Sequence, residues 1–422
     1  MLYIIYGYLF LFIIRPFDNW DILGAIRLEK MYGLFMLSAL AVYRRKRSIR
    51  SRQTNAVFAL LGAMGLSLAF SYNFAFAWTA FYKHCTLVVF YIVILATLKN
   101  ESELRGFVIV YIATMALYQL LSLREYLFFG RGSWSGGIWR LTGFDTMYGG
   151  PNSFAASIAY SLPFAFGILR SKPGFRVRLA VFGYAALGLA CTVLTGSRSG
   201  LLTYLLACLL YVGSLPGKRK FLAGFLAVGM LILAWCLVPS EKQARFRTIT
   251  GEHMNEGEKH SAEDRIRGTG FSTGLRMFVQ RPIFGVGMGC FAAYSQEQLG
   301  EPRMDAHNLY GELLGQLGIV GTIAFFVLVT ITFKNAIFVT REVRRGNVPR
   351  ASPVAWISWA IIMTLVLLLF EGWASHNLDR YNWLWAAAMA VLARDFVLQR
   401  KKAEQPKKVE ENREAAQGFL PA

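Results

Sequence analysis

Apolar runs long enough to cross a lipid bilayer recur along most of this chain, and they constrain its fold more than any other feature. Examples are "LLGQLGIVGTIAFFVLVTITF" and "ASPVAWISWAIIMTLVLLLF", neither of which contains a charged residue. A membrane-spanning helix needs about 20 largely apolar residues to cover the hydrocarbon core of the bilayer. Because 55% of the 422 residues are hydrophobic and only 17% are charged, we predict an all-α, polytopic integral membrane protein and not a soluble domain.

The lengths of the apolar runs predict about twelve transmembrane helices. The first run, "LYIIYGYLFLFII", lacks the basic n-region and the cleavage site of a signal peptide, so we expect it to be a retained span. We predict a transmembrane domain over residues 1–399, with a long outer loop at 239–307 between spans nine and ten. The predicted spans lie near residues 2–14, 28–43, 55–72, 80–98, 106–126, 153–169, 178–195, 199–215, 221–238, 308–333, 353–371 and 382–398.

The formal net charge of +20 is explained by membrane topology. Basic segments follow every even-numbered span, from "RRKRSIRSR" after the second to "QRKKAEQPKK" after the last. Lys and Arg collect in cytoplasmic loops, so both termini should be cytoplasmic and the odd-numbered loops should face outward. The expected partners of these charges are anionic lipid head groups and not nucleic acid. The charged tail at residues 400–422 is predicted to be disordered.

Several polar residues fall on the predicted outer face, at or near the ends of spans. Ionisable groups at a membrane boundary are costly and are therefore functional candidates. Each also has a structural alternative, since an arginine can reach lipid head groups, an asparagine can cap a helix and a histidine can lie at the interface. These residues are Arg140, Asn152, Arg198, Arg265, Arg267 and His307.

Metal and nucleotide chemistry receive little support from the sequence. His253 and His260 lie in "GEHMNEGEKHSAED" without metal-ligand spacing, a pattern typical of a solvated loop. The five cysteines form neither a CxxC motif nor an evident disulfide framework. The "GVGMG" at 285–289 does not follow a strand of a βαβ unit, so it indicates a membrane-proximal turn and not a dinucleotide site.

Four motifs in one order carry a resemblance to a known family. They are an R-x-T-G…PN…A element over Arg140–Ala155, "TGSRSG" at 195–200, "PIFGVGMGCF" at 282–291 and "HNLYGELLGQLGIVG" at 307–321. Together they resemble the bacterial O-antigen ligase superfamily, which includes O-antigen ligases, O-antigen polymerases and protein O-oligosaccharyltransferases. The resemblance covers about residues 137–335.

The resemblance implies an inverting membrane glycosyltransferase on the outer face of the cytoplasmic (inner) membrane, with no metal, nucleotide or other cofactor. The implied donor is a glycan on undecaprenyl pyrophosphate. The acceptor is a hydroxyl of lipid A–core in ligases, another lipid-linked glycan in polymerases, and Ser or Thr in protein transferases. The three enzyme types share these motifs, so the motifs leave the acceptor open.

Carried over by position, His307 is the implied catalytic histidine and Arg198 the implied contact of the pyrophosphate. Counting back from Pro282 makes Arg267 the implied second catalytic arginine, with Arg265 as its competitor. The implied substrate-binding residues are Arg265, Arg140, Asn152 and Asn308. His376 in "SHNLDR" is a secondary candidate for which a packing role is favoured.

The chemistry of these residue types agrees with the resemblance. Arginine donors stabilise the charge that develops on a departing pyrophosphate, and a neutral histidine can accept the proton of an acceptor hydroxyl. A transporter with an arginine-lined cavity is the non-enzymatic alternative. A transporter should carry polar residues near mid-membrane in several spans, whereas here they cluster at the outer edge.

Overall fold

In the computed structural model, the described residues form a bundle of helices with a small two-stranded hairpin. It describes residues 1–417 except 45, 136, 146–148, 219, 222–223, 226–227, 230–239 and 248–261, and the backbone alone at 241, 244–245, 247, 262–269 and 404–417. The helices are α1 (Leu2–Ile14), α2 (Asp21–Ala25), α3 (Leu28–Val42), α4 (Arg52–Ala69), α5 (Phe74–Thr97), α6 (Glu101–Phe129), α7 (Pro151–Arg170), α8 (Phe175–Leu194), α9 (Arg198–Gly213), α10 (Ser240–Arg247), α11 (Ala262–Gln280), α12 (Phe291–Leu299), α13 (Leu309–Glu312), α14 (Gly318–Arg344), α15 (Pro353–Glu371) and α16 (Tyr381–Gln417).

Six helical segments among the described residues are long and apolar enough to cross a membrane: α5, α6, α7, α8, the stretch Leu309–Arg344, and α15. They coincide with the predicted spans four to seven, ten and eleven, which confirms a helical, multi-pass membrane protein. Five other predicted spans are helical but shorter or less apolar (α1, α3, α4, α9 and α16). The ninth, at 221–238, lies mostly outside the described residues. The count of twelve therefore stays a prediction.

Two local features differ from the sequence expectation. The loop between α6 and α7 contains an antiparallel hairpin of β1 (Gly132–Ser135) and β2 (Ile138–Leu141), in which Ser133 pairs with Arg140. The last helix continues through Gln417, well beyond the predicted span at 382–398, and the disorder of the tail stays a prediction. This segment is rich in Ala, Glu, Lys and Arg, which are strong helix formers.

The helices that carry the sequence motifs pack against one another. Helix α7 packs on both α9 and α15, while α16 packs on α14, α15 and α5. At the start of α9 a Cβ on Gly200 would overlap the Cβ of Ala155, so only glycine allows this approach to α7. As a result, the beginnings of α7 and α9 and the end of α15 lie at the same end of the bundle.

The predicted tenth span is interrupted where it passes the "GVGMG" loop. A π-helical turn (Leu313–Leu317) follows α13, and the helix restarts at Gly318, whose φ of 60° suits glycine. The amides of Val286 and Gly287 donate to the carbonyls of Gly315 (2.8 Å) and Gln316 (3.0 Å). In return, the amide of Ile319 donates to the carbonyl of Pro282 at 2.8 Å. The loop thus satisfies backbone groups that the break leaves unpaired, which confirms a turn at 285–289.

Candidate active site

His307 precedes the first turn of α13, as the sequence predicted for the residue that opens this span. Its φ of 44° is left-handed, which is uncommon outside glycine but tolerated by histidine. Neighbouring hydrogen bonds hold this conformation. Asn308 Oδ1 accepts from the amide of Gly311 (2.9 Å), Asn308 Nδ2 donates to the carbonyl of Trp373 (3.1 Å), and the amide of Leu309 donates to the carbonyl of Gly372 (2.7 Å). The backbone around His307 is therefore fixed to the loop that follows α15.

That loop brings His376 into contact with His307. Their ring centroids are 5.1 Å apart, with the rings inclined at 61°. Loss of hydration is the main cause that lowers the pKa of His376 to about 4; Asp305 opposes this shift, whereas His307 and Arg380 act in the same direction as the burial. His376 is therefore neutral at the pH of the cell. Within the described part of the chain its Nδ1 has no hydrogen-bond partner, so packing is not the only role open to it.

A polar cavity of about 440 Å³ opens beside this histidine pair, between α5, α13 and the loop before α16. Loss of hydration raises the pKa of Asp379 to about 6, with Asp305 acting in the same direction and Lys83 opposing it. Of its lining residues, only His376 is a site candidate from the sequence, although Gly289, Glu312 and Gln316 lie inside the motif segments. The His-Asn-Leu triplet occurs at both 307–309 and 376–378, and that recurrence is a signal for the second loop. Its ionisable lining is Lys83, His84, Asp305, Glu312, His376, Asp379 and Arg380.

Arg140 joins two of the predicted site elements. Its side chain is only 1% exposed, and Nε donates to the carbonyl of Thr195 at 2.6 Å. Its Nη2 donates to Asn152 Oδ1 at 2.5 Å. Asn152 is the second residue of α7, whose N-cap is Gly150, so it does not cap this helix. Arg140 thereby fixes the "TGSRSG" turn to the start of α7; substrate binding by either residue stays a prediction.

Arg198 is the first residue of α9 and is half-buried. The preceding Ser197 caps the helix, since its Oγ accepts from the amide of Gly200 at 3.2 Å. One turn further on, the hydroxyl of Thr203 donates to the carboxylate of Glu371. Because Glu371 ends α15, the Arg198 turn and the His376 loop are held at the same end of the bundle.

Helix α11 brings the remaining arginine candidates towards His307. Arg265 and Arg267 lie in its first two turns, but their side chains are outside the described residues, so the choice between them stays a prediction. Farther along α11, a Cβ on Gly270 would overlap the carbonyl oxygen of Ala306, and one on Gly274 would overlap that of Gly311. These glycines permit close packing of α11 against the segment that carries His307.

Within the described ranges, no group of three or more His, Cys, Asp or Glu side chains could hold a metal ion. His253 and His260 fall in the 248–261 gap. Metal independence therefore stays a prediction.

Residues 183–326 match the family model described as O-antigen ligase. This match supports the resemblance of the chain to the O-antigen ligase superfamily. The matched segment contains the Arg198 turn, α11, the 285–289 loop and His307, which are the elements that converge at this end of the bundle. No curated protein matches the chain. The match supports glycan transfer of the ligase or polymerase type, and it fixes neither the donor nor the acceptor.

Proposed function

We propose that this protein transfers a glycan from an undecaprenyl-pyrophosphate donor to an acceptor hydroxyl of lipid A–core or another surface glycan. The observation that carries the proposal is the contact between His307 and His376 at the edge of a polar cavity. The Arg198 turn is held at the same end of the bundle through Thr203 and Glu371. A base and an arginine donor on one side of the membrane suit transfer from a lipid pyrophosphate.

In this proposal His307 accepts the proton of the acceptor hydroxyl as the oxygen attacks the anomeric carbon. The bond to the pyrophosphate breaks from the opposite face of the sugar, so the configuration inverts. Arg198 and one of Arg265 and Arg267 stabilise the leaving pyrophosphate, and no metal is needed. A neutral His376 beside His307 adds no positive charge to the site, and positive charge there would disfavour protonation of the base.

The proposed orientation places this site on the periplasmic face of the inner membrane, with twelve spans and both termini in the cytoplasm. The basic segments after the even-numbered spans support this orientation. A lipid-linked donor must be reached from the bilayer, and the half-buried Arg198 at the start of an apolar helix suits that route.

An O-antigen or exopolysaccharide polymerase is the second candidate, since it uses the same donor and differs only in its acceptor. A protein O-oligosaccharyltransferase and a polysaccharide transporter receive less support. The buried side chains of Arg140 and Arg380 hydrogen-bond to neighbouring protein groups at one end of the bundle. This arrangement favours a built site over a mid-membrane pathway.

Deletion of the gene followed by complementation tests the proposal. Loss of long glycan chains from lipid A–core indicates a ligase, whereas single repeat units on the core indicate a polymerase. His307→Ala should insert normally and fail to complement. Arg198→Lys should recover little transfer because a point charge cannot replace a bidentate guanidinium. Full complementation by His307→Ala would refute its role as base.

A further inference from the structure

Four basic side chains from three helices line a groove that the proposed transfer reaction does not use. Arg52 begins α4, Lys334 and Arg341 lie on α14, and Arg394 lies on α16. This basic groove has a volume of about 930 Å³. Counted from the break at Gly318, Lys334 stands about 24 Å and Arg341 about 35 Å along α14. The proposed topology puts this end of the bundle on the cytoplasmic side.

The carboxylates nearest to the basic groove in sequence are paired with other cations. Glu342 pairs with Arg345 at 3.1 Å and also with Lys401. Asp395 pairs with Arg47 at 2.8 Å. Neither carboxylate lines the groove, and no other acidic side chain of the described residues does so. The wall of the groove therefore carries positive charge only.

The cations of the basic groove have few partners within the protein. In the described part of the chain, the side chains of Arg52, Lys334 and Arg341 make no hydrogen bond or ion pair. Arg394 lies over the ring of Phe338, with its Cζ 5.7 Å from the ring centroid. Like charges repel one another more strongly at a membrane boundary, because the effective dielectric constant is lower there than in water. An anionic group in the groove would offset this repulsion and supply charge-assisted hydrogen bonds.

The rest of the groove wall is mainly apolar and follows one face of α14. Ile323, Phe326 and Val327 are exposed on this face. Thr330 and Lys334 follow Phe326 at intervals of four residues, and such intervals place side chains on the same face of a helix. The apolar stripe thus runs directly into the basic end of the groove. A soluble polyanion would leave the stripe unused, whereas a phospholipid offers an anionic head group followed by apolar chains.

A buried polar network joins two walls of the basic groove. Asn335, which lines the groove, is buried, and its Nδ2 donates to Gln53 Oε1 at 3.0 Å. Gln53 Nε2 donates in turn to the hydroxyl of Thr332 at 2.9 Å. These bonds fix α4 to α14 beside the cations, since Gln53 follows Arg52 and Asn335 follows Lys334. The two cations are therefore held together by packed helices, unlike basic residues of a loop that reach head groups one by one.

We propose that the basic groove binds an anionic phospholipid of the cytoplasmic leaflet, such as phosphatidylglycerol. The head-group phosphate lies among the four cations, and an acyl chain follows the apolar stripe of α14. Basic pockets between transmembrane helices on the cytoplasmic side are suited to anionic head groups, and the groove has the volume of a small-molecule site. The inference does not depend on the transfer reaction, because the groove lies towards the other end of α14 from His307.

A fluorescent phosphatidylglycerol titrated against the full-length protein in detergent tests this assignment. The competitors are unlabelled phosphatidylglycerol, phosphatidylcholine, whose head group is zwitterionic, and glycerol 3-phosphate, which has no chains. We expect phosphatidylglycerol to compete about tenfold better than either of the others, because only it offers both an anionic head group and chains. Lys334→Gln should weaken binding of the fluorescent lipid about fivefold, the loss of one basic contact to an anionic lipid. Arg341→Gln combined with Arg394→Gln should weaken it further.

A matched control separates the groove from the overall positive charge of the protein. Arg176 is exposed on α8, in the basic segment "RSKPGFRVR" on the same predicted side, and does not line the groove. Arg176→Gln should therefore bind the lipid as the wild type does. An equal loss in Arg176→Gln and Lys334→Gln, or no loss in a folded Lys334→Gln protein, would overturn the site.

The competitors test the chemical class of the occupant on the wild-type protein, without any variant that must fold. Equal competition by phosphatidylcholine would overturn the requirement for an anionic head group. Equal competition by glycerol 3-phosphate would show that chains are not needed, and would replace the lipid by a soluble anion as the occupant.

Discussion

Gly270→Ala should impair transfer strongly, although Gly270 carries no side chain and has no chemical role. Its Cβ would overlap the carbonyl oxygen of Ala306, the residue directly before His307. Since both contacting groups lie on the backbone, α11 and the His307 segment must separate by on the order of 1 Å. A displacement of that size at a reacting group can lower a rate about 100-fold. Overpacking of this kind should also destabilise the protein by about 1–3 kcal/mol.

The assay is transfer by purified protein from a lipid-linked glycan to lipid A–core, together with thermal unfolding in the same detergent. Gly183→Ala on α8 is the matched control, because a Cβ there meets no atom within 4 Å. The control should keep its transfer rate and gain up to about 1 kcal/mol of stability from the better helix former. If Gly270→Ala transfers at the wild-type rate with wild-type stability, α11 does not position His307.

Three further predictions concern the frame of the site. Arg140→Ala should lower the free energy of unfolding by about 2 kcal/mol or more, because the Thr195 carbonyl and Asn152 Oδ1 lose a charged donor. Denaturation in detergent measures this loss, and an unchanged midpoint would contradict it. The lowered pKa of His376 means that the folded state resists protonation, so its stability should fall as pH falls from about 6.5 towards 4. His376→Gln should reduce that acid sensitivity in melting curves at pH 5 and 7.5, and an equal acid shift in both proteins would exclude His376 as its source. Asn308→Ala should lower the free energy of unfolding by about 1 kcal/mol, because the Asn308 side chain caps α13. Asn308→Ser, which can also cap the helix, should restore much of that stability. Restored stability without restored transfer would indicate that Asn308 also binds substrate.

The membrane-spanning character of the chain could be predicted because apolar run length is a local property of the sequence. The break at Gly318 could not, since the apolar run continues across it from residue 317 into α14. Its position is set by hydrogen bonds to residues 282–287, which lie about thirty residues earlier in the chain. The hairpin was missed because each of its strands has only four residues, too few to show a reliable alternation.

Only those site residues that stand in recognisable sequence motifs could be predicted from the sequence. Arg198 and His307 stand in recognisable segments, and the structure brings their helices to one end of the bundle. Lys83 and His84 stand in an ordinary apolar helix and reach the cavity only because α5 packs near α13 and the loop before α16. Asp305 and Asp379 are likewise joined by the tertiary fold and not by spacing, so one sequence cannot show that they share a cavity.

The hydrogen bonds between residues 282–287 and 315–320 limit how the sequence and length of either segment can vary. Inserting or deleting a residue in either segment would shift the register of the other and leave amides and carbonyls unpaired. Near the hydrocarbon region each such group costs several kcal/mol, because no water is there to replace the lost partner. The two segments should therefore vary as one unit among homologues, and a chimaera that exchanges only one of them should fail to insert correctly, whereas exchange of both should succeed.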